Sequence, residues 1–517
     1  MTISRRDFLK ASGLAAAWTA LAACTPATQS APSPTQTAIS LPIPIQIPTQ
    51  IPNPTQAAIP SPAPVLDGEK LILHTLRRMT FGPTPEMIDK AKQMGLEAFI
   101  EEQLFPESIP DPEIDSLLQR FPTLNMTSAQ RLRLDRKIES ERDLIEATIM
   151  RQQHSQRQVH EMMVDFWSTH FSIYIKRKLC QVLKTDDDLK VIRPNALGKF
   201  RDLLHASAHS PAMLVFLDQS ESFSGSPNEN YARELLELHT VGVESGYSHH
   251  DVAELARVLT GWTVSGVTDR EMQPGLFYFD PDIHDNGEKH VMGMMISPGG
   301  EEEGMLVLDM LASHASTARF VSWKLARRFV SDSPDLALID ALSQVFTQSD
   351  GDTRQMLRAL LNSESFKASA GQKFKRPLEF FISALRVTGA TITGTSRRLL
   401  EPLRLLGQLP FRWQLPDGYP DVAEYWATTS GMLDRWNFGL LLASNLIRGA
   451  SVDLNALTRD AASAEDLVDV LSLRFIGERL PDDARSILVD FASSDDLDVV
   501  IPSVAGLILG SPHFQVR

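Results

Sequence analysis

Residues 227–243, PNENYARELLELHTVGV, carry a dense set of chemically active side chains within one helix length. At about 100° per residue, the polar residues share one arc of about 140° and the apolar residues fill the rest. Three carboxylates beside one arginine suit either binding of a hard cation or acid–base catalysis by a carboxyl group of raised pKa. A solvated surface face, with Glu229 and Arg233 as an i, i+4 ion pair, is the alternative. The polar residues of this arc are Glu229, Asn230, Arg233, Glu234 and Glu237.

Three histidines extend this set of candidates. His239 lies on the apolar arc, where it is either a hydrogen-bonded core residue or a ligand. In HEMMVDFWSTHF, His170 shares a helical face with Phe166 and Trp167. In FDPDIHDNGEKHVMG, His284 and Asp285 are adjacent, and imidazole and carboxylate are common metal ligands. We therefore predict His284, Asp285 and His239 as ligands of a divalent metal, although the loop lacks the full register of a calcium site.

Most of the elements that would position these residues are predicted to be α-helices. Apolar residues recur at three- and four-residue spacing along nearly the whole chain after residue 66, and alternating β-branched runs are almost absent. The main exception lies between residues 264 and 298, where Gly, Pro and Asp punctuate the sequence. The predicted fold is a large multi-helix body with a long ordered loop or small hairpin near 264–298.

The first 24 residues have the layout of a twin-arginine export signal. Arg5 and Arg6 precede a weakly apolar run that ends in Leu-Ala-Ala-Cys, and this ending resembles a bacterial lipobox. We expect Cys24 to become a lipidated N-terminus; cleavage at an ordinary small-residue site is the alternative. The predicted location is extracytoplasmic, on the periplasmic or cell-surface side, with the membrane as a partner through the lipid anchor.

Composition changes sharply after Cys24. Residues 25–66 contain eleven prolines in 42 positions and no charged residue, which predicts a disordered, extended tether. Residues 67–517 contain no second hydrophobic span and are predicted to form the helical body, either as one large domain or as two packed sub-domains with a boundary near residues 300–315. The domain prediction is therefore a signal peptide, a tether and one large folded body.

Cysteine content and charge exclude several classes of function. The chain has two cysteines, so Cys180 has no second cysteine in the body, and thiolate-rich metal or covalent haem sites are not expected. Cys180 is either a reactive thiol or a core residue. The formal net charge of −15 disfavours nucleic acid as a partner.

Several segments together resemble the domain-of-unknown-function-1800 family of bacterial proteins. The resemblance runs over nearly the whole body and implies a mostly α fold without implying a reaction. Three of the segments are those selected above for their chemistry, so a shared polar site is favoured. The segments are HTLRRMTFGPTPEMIDKAKQMGLEAFIEEQL, DFWSTHF, LLHASAHSPAMLVFLD, NENYARELLELHTVGV, YSHHDVAELARVLTGW, IHDNGEKHVMG and LGSPHFQVR.

Our leading hypothesis is a hydrolytic or metal-assisted site acting on an envelope or other extracellular polymer. Glu234 and Glu237 would act as acid, base or cation ligands, with Asn230 and Arg233 holding the substrate or fixing their geometry. His170 would be a ligand or an orienting group. Aromatic residues that suit a polymer, but equally a core, are Trp413, Tyr419, Trp426 and Trp436.

Two other hypotheses stay open. One is a non-catalytic envelope-assembly or surface scaffold protein with a protein partner, whose polar helix is an internal network or a docking face. The other is a non-covalent redox cofactor, for which the sequence offers no glycine-rich dinucleotide motif.

Overall fold

The computed structural model describes residue 66 and residues 68–266, 274–392 and 397–517. Helices account for most of these residues. The α-helices are α1 (Gly68–Met79), α2 (Pro85–Met94), α3 (Leu96–Leu104), α4 (Pro112–Leu118), α5 (Ser128–Leu132), α6 (Ile138–His154), α7 (Gln158–His170), α8 (Cys180–Asp186), α9 (Arg193–Asn195), α10 (Phe200–Ala208), α11 (Pro211–Phe216), α12 (Glu229–Glu234), α13 (His249–Val258), α14 (Glu301–Ser313), α15 (Ala315–Phe329), α16 (Leu336–Ser349), α17 (Thr353–Asn362), α18 (Glu364–Lys367), α19 (Pro377–Val387), α20 (Arg397–Leu405), α21 (Ala423–Trp426), α22 (Thr429–Ala443), α23 (Leu454–Leu457), α24 (Ala464–Ile476), α25 (Asp482–Ala492), α26 (Leu497–Gly510) and α27 (Pro512–Gln515).

Local sequence explains where many of these helices begin. The side chains of Asp335, Asp352 and Thr428 each accept a hydrogen bond from a backbone N–H in the first turn of α16, α17 and α22. Ser248 and Asp251 form a reciprocal capping box at the start of α13. The helix bearing the polar arc is capped in the same way, since Asn228 accepts from the Asn230 N–H. Polar cap residues thus set the boundaries that place the apolar faces in the core.

The strands are few and short. In the loop region, β1 (Trp262–Val264) pairs antiparallel with β2 (Phe277–Phe279), and β3 (Lys289–Val291) with β4 (Met294–Ile296). Further along the chain, β5 (Thr391–Ile392) pairs antiparallel with β6 (Ala450–Ser451). Two small hairpins therefore occupy the region from which the helical pattern is missing.

The apolar interior forms two large clusters. One draws mainly on residues 159–366 and the other mainly on residues 114–150 and 378–514. Cys180 is buried in the first cluster, where its environment raises the thiol pKa to about 12, chiefly through burial. Such a thiol is an inert core residue at neutral pH.

The mostly α fold predicted from periodicity is confirmed. The export signal and Cys24 lie outside the described residues, as does the tether up to residue 65, so these assignments stay predictions. The sub-domain boundary near 300–315 also stays a prediction. None of the described helices is long and apolar enough to cross a membrane.

Candidate functional site

The polar helix departs from regular α geometry in its middle. Helix α12 ends at Glu234, and Leu235–His239 continue as a π-helix. The Thr240 hydroxyl donates to the Leu235 carbonyl at 2.5 Å, which closes this widened turn. Because a π-turn inserts a residue into the helical register, the arc inferred at 100° per residue holds only up to Glu234. Single π-turns inside helices are frequent at functional sites.

Glu234 is the most perturbed carboxyl group of this helix. Burial, followed by the charge of Glu237, raises the pKa of the half-buried Glu234 carboxyl to about 7. Asp417 contributes in the same direction, and Arg233 opposes it. A carboxyl group of this kind exchanges a proton near neutral pH, as a general acid or base must.

The neighbours of Glu234 have fixed partners. Arg233 donates to Glu229 at 3.0 Å, which is the i, i+4 pair predicted from the sequence. Glu237 accepts from the Tyr247 hydroxyl at 2.5 Å. Asn230 donates to the Leu217 carbonyl at 3.1 Å and so fixes helix α12 against the end of α11. Arg233, Glu237 and Asn230 therefore position the helix, while Glu234 keeps its exchangeable proton.

A second group with a near-neutral pKa lies in the same electrostatic environment. Lys324, on α15, is half-buried, and burial lowers its ammonium pKa to about 8 against the opposing field of Asp417. The charge of Asp417 thus raises the pKa of both Glu234 and Lys324. An acid and an amine that both titrate near pH 7–8 around one carboxylate are typical of acid–base sites.

A narrow cleft of about 30 Å³, with room for one or two water molecules, lies beside helix α7. Two buried polar atoms in its wall, Gln152 Oε1 and Ser168 Oγ, have no hydrogen-bond partner among the described residues. Unpaired buried polar atoms are costly unless water or a ligand meets them. The main polar residues that line the cleft are Gln152, Asp165, Ser168, Thr169, Ser172 and Gln408.

The segment 408–426 connects this cleft to the carboxyl group at Glu234. Trp413 and Tyr419 line the cleft, and their rings lie 5.1 Å apart. The Trp413 indole N–H donates to Asp417 at 2.7 Å, which places that carboxylate beside the cleft wall. Tyr425, 49% exposed, extends the aromatic surface, with its ring 6.0 Å from Trp413. An exposed aromatic and acidic rim therefore adjoins the cleft.

Gly418 allows the segment 408–426 to pack directly against the backbone of α7. Its φ is +77°, and a Cβ there would lie 2.1 Å from the Thr169 carbonyl oxygen. We expect Gly418→Ala to lower the free energy of unfolding by about 2–4 kcal/mol through backbone strain and overlap. Denaturant titration measures this loss. Gly246→Ala is the matched control, because Gly246 also has a positive φ but meets nothing within 4 Å; an equal loss in both variants would contradict the role given to the Thr169 contact.

The two histidines of the predicted site meet in the core. His170 Nε2 donates to the His239 carbonyl at 3.0 Å, and their rings lie 6.2 Å apart. Both side chains are buried, and burial lowers the pKa of His239 to about 3 and that of His170 well below 6.5. The DFWSTHF and NENYARELLELHT segments therefore touch as expected. Both imidazoles are neutral and enclosed, so a catalytic role for His170 stays a prediction that this geometry does not favour.

The third candidate segment, which contains His284 and Asp285, bonds to residues outside 227–243. His284 Nδ1 donates to the Thr260 carbonyl at 2.8 Å, and its Nε2 lies 3.1 Å from Glu303, which also pairs with Lys289 at 2.5 Å. Asp285 accepts two hydrogen bonds from Arg257, at 2.8 and 3.1 Å, which hold the pKa of Asp285 at about 2. These contacts use the atoms that would ligate a metal.

The metal prediction gains no support from the geometry. Among the residues that the structure describes, no group of three or more His, Cys, Asp or Glu side chains is arranged to hold a metal ion. His284 and Asp285 have no hydrogen bond or ion pair with residues 227–243 in the described part of the chain. Metal ligation by His284, Asp285 and His239 stays a prediction, and the interactions above would have to break for it.

Sequence inspection missed Asp417 and Lys324. The segment QLPDGYPD is rich in Pro, Gly and Asp within an otherwise helical chain, which is the signal that drew attention to residues 264–298. Lys324 carries no comparable signal, because a lone lysine in an amphipathic helix is ordinary.

The fold and site define a mostly helical protein in which a narrow cleft, lined largely by α7 and residues 408–419, adjoins the helix at 229–239 through Asp417. The chain belongs to the family described as Protein of unknown function (DUF1800), which it matches over residues 74–516. No curated protein and no solved structure matches the chain.

Proposed function

We propose that this protein hydrolyses a polyhydroxylated polymer of the cell envelope by acid–base chemistry at Glu234. The observation that carries the proposal is the Glu234 carboxyl, whose pKa of about 7 results from burial, Glu237 and Asp417. The adjoining rim offers the aromatic faces of Trp413 and the exposed Tyr425, which suit a carbohydrate chain.

In this scheme Glu234 donates a proton to the leaving oxygen as the glycosidic C–O bond breaks. Asp417 acts as the base that accepts a proton from the attacking water as its oxygen bonds to the anomeric carbon. The turnover leaves Glu234 ionised and Asp417 protonated, and proton exchange with solvent restores both groups. Lys324 and Trp413 act on Asp417, the first through its charge and the second through its hydrogen bond. Neither His284 nor Asp285 takes part.

The extracytoplasmic setting rests on the sequence of the first 24 residues. A twin-arginine signal and a lipidated Cys24 would hold the folded body on the outer side of a membrane, with residues 25–66 as the tether. An envelope polymer is the polyhydroxylated material that such a protein meets.

The pH dependence of hydrolysis tests the proposal. The full-length protein is incubated with soluble bacterial cell-wall oligosaccharides between pH 5 and 9, and new reducing ends are quantified. We expect release of reducing ends to decrease as the pH rises through about 7, because Glu234 must be protonated to donate. The release should be insensitive to chelator. No release at any pH, or release abolished by chelator, would contradict acid–base hydrolysis at this site.

A non-catalytic envelope-assembly role is the second candidate. It is favoured by exposed apolar side chains along α22, namely Leu433, Trp436 and Leu441, at 55%, 42% and 41% exposure. Under this alternative, the oligosaccharides above would give no product, and substitution of Glu234 would alter stability alone.

A further inference from the structure

One side of helix α15 presents two aromatic rings and two cations at the surface. Phe320, Trp323, Lys324 and Arg327 follow the i, i+3, i+4, i+7 spacing of a single helical face, and all four are half-buried. The rings of Phe320 and Trp323 stack with their centroids 5.9 Å apart. Among the described residues, no carboxylate forms an ion pair with Lys324 or Arg327. This face therefore carries positive charge that the described part of the protein does not pair.

Lys324 lies in a recess that solvent reaches. The residue is half-buried, yet burial lowers the pKa of its ammonium to about 8, so protein atoms surround a group that still has access to water. The Nζ lies 5.4 Å from the centroid of the Phe320 ring and donates no hydrogen bond to any described residue. An ammonium held away from bulk water without an acceptor is unfavourable, and a bound anion would offset that cost.

Arg327 has open hydrogen-bond donors beside Lys324. Its guanidinium stacks on the Trp323 ring, with Cζ 4.1 Å from the ring centroid, and its Nε donates to the Asp332 carbonyl at 3.2 Å. These two contacts fix the plane of the guanidinium, and they leave both Nη groups without a hydrogen-bond partner among the described residues. A fixed guanidinium with open Nη groups matches the two oxygens of a carboxylate.

The two cations adjoin the carboxylates of the candidate site. Asp417 and Asp421 are the acids whose charges raise the pKa of Lys324, and Asp417 also raises the pKa of Glu234. Both acids have other partners, since Asp417 accepts from the Trp413 indole at 2.7 Å and Asp421 pairs with Lys373 at 3.0 Å. A polymer that reaches Asp417 therefore continues over the exposed side of α15.

We propose that Lys324 and Arg327 form a subsite for a carboxylate carried by the sugars of the polymer, so that the substrate is an acidic polysaccharide. This assignment rests on the proposed function, because it names the substrate of the site at Glu234 and Asp417. Arg327 would bind both carboxylate oxygens through its Nη groups, and Lys324 would add a point charge. A neutral polysaccharide would leave both cations unpaired, so the acidic form should bind more tightly.

Binding of one oligosaccharide preparation in two charge forms tests the subsite. Soluble cell-wall oligosaccharides freed of peptides are used either with intact sugar carboxylates or with those carboxylates converted to methyl amides. Calorimetry is performed on the full-length Glu234→Gln protein, in which hydrolysis is expected to be slow. We expect the carboxylate form to bind about tenfold more tightly than the amide form, or better.

Substitution of each cation locates the preference. Lys324→Met and Arg327→Met, each added to Glu234→Gln, should lose the preference for carboxylates and bind the amide form as before, which also shows that they are folded. The matched control is Lys199→Met, which removes an exposed lysine paired with Asp350 and should keep the preference. The subsite is overturned if the two forms bind equally, if neither binds, or if the preference survives in either variant. A variant that loses both forms alike also overturns it.

This outcome is separate from that of the hydrolysis assay. A preference for carboxylates that depends on Lys324 and Arg327, with no release of reducing ends, would support the subsite and overturn hydrolysis at Glu234. Equal binding of both forms, with reducing ends released from each, would overturn the subsite and leave the hydrolysis standing.

Discussion

Replacing Glu379 by glutamine is expected to lower the free energy of unfolding by about 3–5 kcal/mol, because it leaves several buried cations without their shared counter-charge. Glu379 is 2% exposed and forms ion pairs with Arg328, Arg376 and Arg517. It also accepts a hydrogen bond from the Arg376 N–H at 3.0 Å, which caps helix α19. One carboxylate therefore joins α15, α19 and the end of the chain.

Denaturant titration at neutral pH measures this loss. Glu101→Gln is the control: Glu101 bonds to Arg358 at 2.5 Å, but both side chains are about 40% exposed, so the expected cost is under about 1 kcal/mol. Equal effects in the two variants would mean that the buried network adds nothing beyond a surface ion pair.

The same residue makes the wild type sensitive to acid. Burial alone would raise the pKa of Glu379, but Arg328, Arg517 and Arg376 outweigh it and hold the pKa well below the ordinary 4.5. The stabilisation is therefore present above pH 4.5 and is lost as the pH falls toward the lowered value. Because glutamine does not titrate, the difference in stability between wild type and Glu379→Gln should shrink in acid.

The sequence predicted the helices better than it predicted the contacts between them. Apolar spacing and polar caps are local, so the mostly α fold could be inferred from runs such as TARFVSWKLARRFV. The network around Glu379 could not, since Asp165, Arg328 and Arg376 lie in or beside three different helices and each is an ordinary charged residue there. Long-range ion pairs leave no periodic signal.

The candidate site, too, could be predicted from the sequence only in part. The concentration of carboxylates at 229–237 is a local signal that points to Glu234, and Trp413 and Tyr419 are visible as aromatic residues that suit a polymer or a core. The π-turn at Leu235–His239 changes which side chains follow Glu234 on its face, and a hydrogen-bond register of this kind cannot be read from residue types. The HDNG segment attracted attention because His and Asp are versatile ligands, yet its role in the structure is to bond to Thr260, Arg257 and Glu303.

Glu234→Gln is expected to have the largest effect on activity. If Glu234 is the proton donor, glutamine should reduce the rate of oligosaccharide hydrolysis by about 10²–10⁴-fold, because the amide keeps the shape of the side chain but cannot give up a proton at this pH. Single-turnover measurements on the cell-wall oligosaccharides check this. Glu229→Gln is the control on the same helix; it loses only the partly exposed pairs with Arg233 and His249 and should retain its rate.

Stability distinguishes a proton donor from a structural carboxylate at this position. Because the folded protein raises the pKa of Glu234 from 4.5 to about 7, ionising this carboxylate costs the native state stability progressively as the pH rises from 4.5 through 7. Glu234→Gln should therefore be more stable than wild type at pH 8 and similar below pH 4.5. An inactive variant that is more stable at pH 8 is the expected signature of a group retained for chemistry at a cost to folding. A variant that is inactive because it is destabilised at every pH would instead assign Glu234 to the architecture of the 229–239 helix.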